Sequence, residues 1–272
     1  MGFRGPTGMH AYNRLTHKLN LSAEWNLWRR GEINMLRAAD GLAPLPRRSR
    51  MDSLGTDVPV LYPFSPVVVP PPADWPARTF VTGYWFDDEN LPAQPDLDSF
   101  VDAGTAPVLV TFGSGWPVHR RLDTARTLVS AARAVGRRTV LVDGPGDLAA
   151  DDVHIAHDVD FGRLLPRTSA VVHHGGFGTT AEVFRAGVPQ VVFPTLADNP
   201  YWAGRAHALG VGVRPLSVRR RDLAVMTASL DQAVNDPGLR ATATELAQRI
   251  DSEKGLTVAC DAIDRLFSTG RT

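Results

Sequence analysis

The sequence predicts an α/β protein whose larger part is a doubly wound parallel sheet, and three observations carry that prediction. From Pro107 onward, short apolar runs alternate with helical patterns, as in successive βαβ units. The runs at 108–112, 139–142, 170–173 and 190–193 are apolar almost throughout rather than alternating, as strands covered on both faces must be. The run at 170–173 then passes through His174-Gly-Gly-Phe-Gly178 into a helical pattern. In such a turn glycine lets the backbone approach a ligand or a neighbouring element closely.

Taken in order, residues 11–40 read as helix, because Leu15, Leu19, Trp25, Trp28, Ile33 and Leu36 recur near helical spacing. Residues 58–69 read as extended pieces broken by Pro59, Pro63 and Pro66. Pro70-Pro71-Pro72 through Pro76 has the composition of a stiff linker. A short strand is expected at 81–86 and a polar loop at 87–95. Beyond Pro107, strands are expected at 108–112, 139–142, 153–156, 170–173, 190–193 and 211–213. Helices are expected at 121–135, 179–186, 201–209, 220–234, 239–250 and 255–267. Three regions follow: 1–75, too short and open to form a domain; a linker at 76–106; and a complete α/β domain at 107–272.

With 272 residues, 43% of them hydrophobic, the chain can bury a sizeable core. Net charge is zero, with nine Lys or Arg against three Asp or Glu in residues 1–50; no nucleic-acid footprint stands out. Cys260 is the single cysteine, which excludes a disulfide within the chain and fits a reducing compartment; its helical, small-residue surroundings predict core packing. No run approaches the roughly 20 apolar residues of a membrane helix, and the amino terminus lacks the apolar stretch of a secretory signal. The expectation is a soluble, cytoplasmic protein. Trp25 and Trp28 among arginines also allow transient association with a membrane surface, although burial in a core is the simpler role.

The chemistry concentrates after the strand at 170–173. A helix start presents unpaired N–H groups and the positive end of its dipole, which together suit a diphosphate. Thr179 and Thr180 add hydroxyls there, and Glu182, one turn on, can accept from a vicinal diol such as ribose. Asp198 and Asn199 follow the strand at 190–193, at the carboxyl end where open α/β sheets bind ligands. An acid beside an amide supplies acceptors and donors to neighbouring sugar hydroxyls. His173 and His174 are adjacent on a strand and point to opposite faces, so one is expected in the core and the other toward a ligand. His154, His157, Asp158 and Asp160 could hold a metal by residue type.

These residues resemble a known family. His173-His174-Gly-Gly-Phe-Gly-Thr-Thr-Ala-Glu182, Arg185-Ala-Gly-Val-Pro189, Asp198-Asn199-Pro-Tyr-Trp202 and Ala208-Leu-Gly-Val-Gly212 are similar to the donor signature of family 1 UDP-glycosyltransferases of GT-B fold. Sterol 3-beta-glucosyltransferases and bacterial antibiotic glycosyltransferases are the nearest in pattern. Tyr12-Asn-Arg-Leu-Thr-His17, Asp74-Trp-Pro76, Thr82-Gly-Tyr-Trp-Phe86 and Phe112-Gly-Ser114 extend the resemblance over nearly the whole chain.

The resemblance implies a GT-B C-terminal, Rossmann-like donor domain at 107–272, preceded by a remnant of the N-terminal acceptor domain at 1–75 and an interdomain linker at 76–106. It implies that His174, Gly176, Gly178, Thr179 and Thr180 hold the donor diphosphate, faced also by Gly113 and Ser114. Glu182 would bind ribose, Asp198 and Asn199 the transferred sugar, and the backbone of 156–161 the nucleobase. The implied activity is inverting transfer of a hexose, glucose by preference, from a UDP-sugar to a hydroxyl of a hydrophobic acceptor such as a sterol, lipid or polyketide, without metal or cofactor.

Two departures are plain. Asn199 stands where the family has glutamine, and Phe177 where a small residue is common. The family's catalytic base belongs to the N-terminal part that this sequence does not match, and His10 does not sit in its context. The chain is therefore expected to need that half, or a partner chain, for catalysis. A non-catalytic nucleotide-sugar-binding protein and a UDP-sugar epimerase stay open as alternatives.

Overall fold

A computed structural model describes residues 10–47, 56–87, 92–113, 118–217 and 222–268. The chain divides into two units, one comprising the residues up to Tyr62 together with Pro71–Val81, the other Pro63–Pro70 and the residues from Thr82 on.

In the smaller unit, α1 (His10–Glu24) runs through a π-helical turn at Trp25–Arg29 into α2 (Arg30–Ala39), as the periodicity predicts. The following segment folds back along the helix. Asn34 Oδ1 accepts from the Leu45 amide at 2.7 Å, and Trp25 Nε1 donates to the Pro46 carbonyl at 3.2 Å. Leu15, Leu19, Leu27 and Leu36 are exposed. Strand β1 (Val60–Tyr62) pairs in parallel with β2 (Thr79–Val81). The strand expected at 81–86 is therefore met only at Val81, and residues 82–87 run on outside any strand.

The larger unit is the predicted α/β layer structure. Its strands β3 (Val108–Thr111), β4 (Thr139–Val142), β5 (Val153–Ala156), β6 (Ala170–His173) and β7 (Gln190–Val192) form one sheet in the order β5-β4-β3-β6-β7. Every pairing is parallel. Alternate residues of β3 serve opposite faces. Val108 and Val110 enter a core with Leu128 of α4 (Val118–Ala134) and Met226 and Leu230 of α8 (Leu223–Asn235). Leu109, with Val140 and Val171, enters a second core on α5 (Phe161–Leu164) and α6 (Phe177–Ala186). The strand expected at 211–213 is reduced to a single bridge between Gln190 and Gly212.

Caps fix the helix ends. Asp236 accepts from the amides of Gly238 and Leu239 to start α9 (Pro237–Asp251), with Pro237 in the first turn. Gly187, left-handed at φ +67°, closes α6. The region expected as linker contains a helix, α3 (Pro95–Asp102), whose Leu97 and Val101 belong to the second core. Asp98 fastens it to Arg163 and Arg167, each at 2.6 Å, and the Arg167 hydrogen bond above all holds the Asp98 carboxyl below its usual range. On α10 (Gly255–Ser268), Cys260 is exposed rather than packed in the core, because Ala259 and Ala262 occupy the buried stripe.

Among the described residues no helix is long and apolar enough to cross a membrane.

Candidate functional site

In sheet order, β3, the first strand of the α/β unit, lies beside its fourth, β6. Connections leave these neighbours in opposite directions, which opens a crevice beyond their carboxyl ends. Two glycine-containing turns meet there. Gly113, at φ +58°, ends β3, and a Cβ built on it would lie 2.5 Å from Cε1 of His174. Gly176 carries the same imidazole on its other side, where a Cβ would collide with Nε2. Only glycine at both positions leaves room for the ring. Gly175, at φ +85°, would place a Cβ 3.1 Å from the Asn199 carbonyl, so the loop after β6 lies directly against the loop after β7.

His173 is the buried member of the pair. Its Nδ1 accepts from the Gly175 amide at 3.2 Å, so its proton lies on Nε2 and is donated to Gln190 Oε1 at 2.9 Å. Burial above all holds its pKa down at about 4 and keeps the ring neutral, as that bonding requires. Its work is to shape the glycine turn.

Helix α6 begins at Phe177, two residues earlier than expected, with Gly176 as its N-cap. Gly176 has no side chain to cap the helix, and the first helical bond runs from the Thr180 amide to the Gly176 carbonyl. The amides of Phe177, Gly178 and Thr179, at the amino end of α6, therefore have no partner within the helix. Thr180 corrects the expectation made of it. It is buried and donates its hydroxyl to the Gly176 carbonyl at 2.8 Å, tightening the turn rather than facing a ligand. Gly178 is exposed at the helix mouth and Thr179 half-buried. Ser114 lies outside the described residues.

Glu182 sits one turn into α6, half-buried, with Arg185 Nε 3.8 Å from its carboxylate. The Arg185 guanidinium lies over the Phe86 ring, 4.4 Å from its centroid. Asp198 and Asn199 diverge. Asp198 is exposed and accepts from Trp202 Nε1 at 2.7 Å. Asn199 is buried, and its Oδ1 accepts from Thr195 Oγ1 at 2.8 Å and the Leu196 amide at 3.2 Å. Of the expected acid–amide pair, the amide oxygen is thus committed to its own loop. Phe177, the bulky departure, packs between Tyr84 and Trp202, at 5.8 and 5.2 Å between ring centroids.

Residues 156–161 are pinned by Gln94, whose Nε2 donates to the carbonyls of His157 and Asp158, and by Asp160, which caps α5. His154 packs on Phe100 and His157 pairs with Asp143. Among the described residues no three His, Cys, Asp or Glu side chains gather as metal ligands.

Sequence reasoning gave no individual role to Gln190, Arg185 or Trp202. Gln190 is a polar residue inside an apolar strand, a signal that something buried needs a partner. Trp202 stands four residues after Asp198, one helical turn away.

Residues 145–259 match the family described as erythromycin biosynthesis protein CIII-like, C-terminal domain. The chain is 44% identical over 262 residues to an O-mycaminosyltylonolide 6-deoxyallosyltransferase of Streptomyces fradiae, covering 96% of this chain and 62% of that protein. It is 32% identical to a sterol 3-beta-glucosyltransferase of Arabidopsis thaliana, covering 92% of this chain and 40% of that one. It thus spans less than two thirds of either relative. The calicheamicin glycosyltransferase CalG4 superposes with a TM-score of 0.68 at 19% identity, over 100% of this chain and 69% of its own. The glycosyltransferase VinC, solved with dTDP, superposes with a TM-score of 0.52 at 25% identity, over 62% of this chain and 43% of its own. The fold is that of the GT-B glycosyltransferases.

Proposed function

We propose that this chain, whose residues 145–259 match the EryCIII-like C-terminal domain family, binds a nucleoside-diphosphate sugar at the carboxyl ends of β3 and β6. It serves inverting transfer of the hexose to a hydroxyl of a hydrophobic small molecule. The observation that carries the reading is the amino end of α6, which its N-cap Gly176 leaves without a side-chain cap, with the His174 ring against that glycine.

The amides of Phe177, Gly178 and Thr179 and the His174 ring would take the diphosphate, and Glu182 the ribose. Asp198 would accept from a hydroxyl of the sugar. In the reaction the bond from the anomeric carbon to the diphosphate oxygen breaks as the acceptor oxygen bonds to the opposite face. The acceptor's proton passes to a base that none of these residues supplies. The diphosphate leaves with its charge stabilised by the helix end and the histidine, which requires no metal.

Uridine follows from the resemblance. The dTDP bound to VinC and the thymidine diphosphate bound to the spinosyn rhamnosyltransferase SpnG favour thymidine as a second donor base.

Calorimetric titration with UDP and dTDP tests the reading. Wild type binds at least one, and His174→Ala and Glu182→Ala each weaken it at least tenfold. Equal binding by both variants overturns the site. Little sugar transfer is expected from the chain alone, and brisk glucosylation of a sterol by it would show that a base is present after all.

A further inference from the structure

We propose that Trp202 is a positioning residue that sets the sugar-recognising carboxylate of Asp198. The inference rests on the donor-site reading above and assigns it a residue that the reading does not use.

Asp198 occupies the N-cap position of α7 (Asn199–Ala208), where an aspartate ordinarily turns its carboxylate onto the amides of the first turn. Here it makes no such bond. Its Oδ2 accepts instead from the indole Nε1–H of Trp202, at 2.7 Å. The direction of the carboxylate is thus set by the indole and not by the helix. The exposed Asp198 side chain keeps Oδ1 for a hydroxyl.

The indole is itself held on two sides. Trp202 is 7% exposed and belongs to a core with Phe184, Leu246 and Ile250. Its ring packs at 5.2 Å on Phe177, the first residue of α6, and Tyr201 meets its edge at 5.0 Å. One rigid side chain therefore touches the helix whose amino end takes the diphosphate and directs the acid that meets the sugar. It fixes the distance between the two subsites, and such a fixed geometry is what transfer at the anomeric carbon demands.

The test compares affinity for a nucleotide sugar with affinity for its free nucleotide, UDP-glucose with UDP and dTDP-glucose with dTDP, by calorimetry. In Trp202→Phe the ring packing stays and the donor is lost. The increment due to the sugar should fall about tenfold, the cost of a hydrogen bond to a charged group, while UDP or dTDP binds within about twofold of wild type. Trp202→His retains a ring N–H and should restore part of the increment. The double variant Trp202→Phe, Asp198→Asn should lose no more than Asp198→Asn alone. An unchanged increment in Trp202→Phe overturns the proposal. So does a folded variant that loses nucleotide and nucleotide sugar equally, or failure of both Trp202 variants to fold, which would make the residue a scaffold only. Failure of the wild type to bind any of the four ligands overturns the donor site itself, a result distinct from these.

Discussion

Gly113 and His174 occupy one space: a Cβ on Gly113 would lie 2.5 Å from the imidazole Cε1. Gly113 also sits at φ +58°, where an L side chain is strained. Gly113→Ala should push the ring out of its seat while leaving the sheet intact, since the collision is with a side chain. A loss of at least tenfold in UDP or dTDP affinity is expected with little change in circular dichroism. Undiminished affinity would mean that His174 does not need this seat to serve the site.

His173 and Gln190 make stability depend on pH. The folded ring titrates near pH 4, the unfolded one near 6.5. Above pH 6.5 both are neutral and the group contributes no pH dependence. As pH falls from 6.5 toward 4 the unfolded chain takes up the proton first, and stability drops by about 3 kcal/mol. Urea unfolding at pH 7 and pH 4.5 should show most of that loss in wild type. His173→Asn should be less stable at pH 7 yet lose less on acidification. A variant with the full acid loss would place the sensitivity elsewhere.

The strands were legible because burial on both faces leaves a continuous apolar run, as at Val108–Thr111 and Thr139–Val142. Helix α3 was not, since Pro95 ended a run read as polar loop and the residues after it fell in the expected linker, although Pro at the helix start and Leu97 with Val101 four residues apart were the available signals. The start of α6 was placed late because Phe177-Gly178 has poor helix propensity and enters the helix only because β6 and the glycine turn deliver it there. In the candidate site, glycine spacing marked where the loops after β3 and β6 come close together. What it could not reveal is which polar atoms the protein uses on itself. Thr180 Oγ1, Asn199 Oδ1 and the His173 ring are all committed to backbone or neighbouring side chains, and those partners depend on how two loops meet in space.

Gly255 opens α10 against backbone. A Cβ there would collide with the Tyr84 carbonyl and lie 2.7 Å from the Gly83 carbonyl carbon. Main chain cannot step aside as a side chain does, so Gly255→Ala should destabilise by about 1–3 kcal/mol. A chain of this size would then melt lower by roughly 2–5 °C. A melting temperature within a degree of wild type would show that α10 shifts freely on its support.

The loop bearing Asp198 holds strain at a non-glycine residue. Ala197 has φ +53°, a left-handed conformation costing about 1–2 kcal/mol. It persists because both flanks are tied: the Leu196 amide donates to Asn199 Oδ1, and Asp198 accepts from Trp202. Strain kept by its surroundings beside a ligand loop points to geometry retained for binding. Ala197→Gly relieves it, with roughly 0.5–1 kcal/mol returned as extra unfolded-state entropy. The variant should therefore be modestly more stable, by about 0.5–1 kcal/mol. The same change frees the backbone between the two tethers, so the carboxylate is held less firmly. Nucleotide-sugar affinity should fall about threefold at unchanged free-nucleotide affinity, the usual exchange of binding geometry for stability. A more stable variant that binds the sugar nucleotide as tightly as wild type would show that the left-handed turn has no part in presenting Asp198.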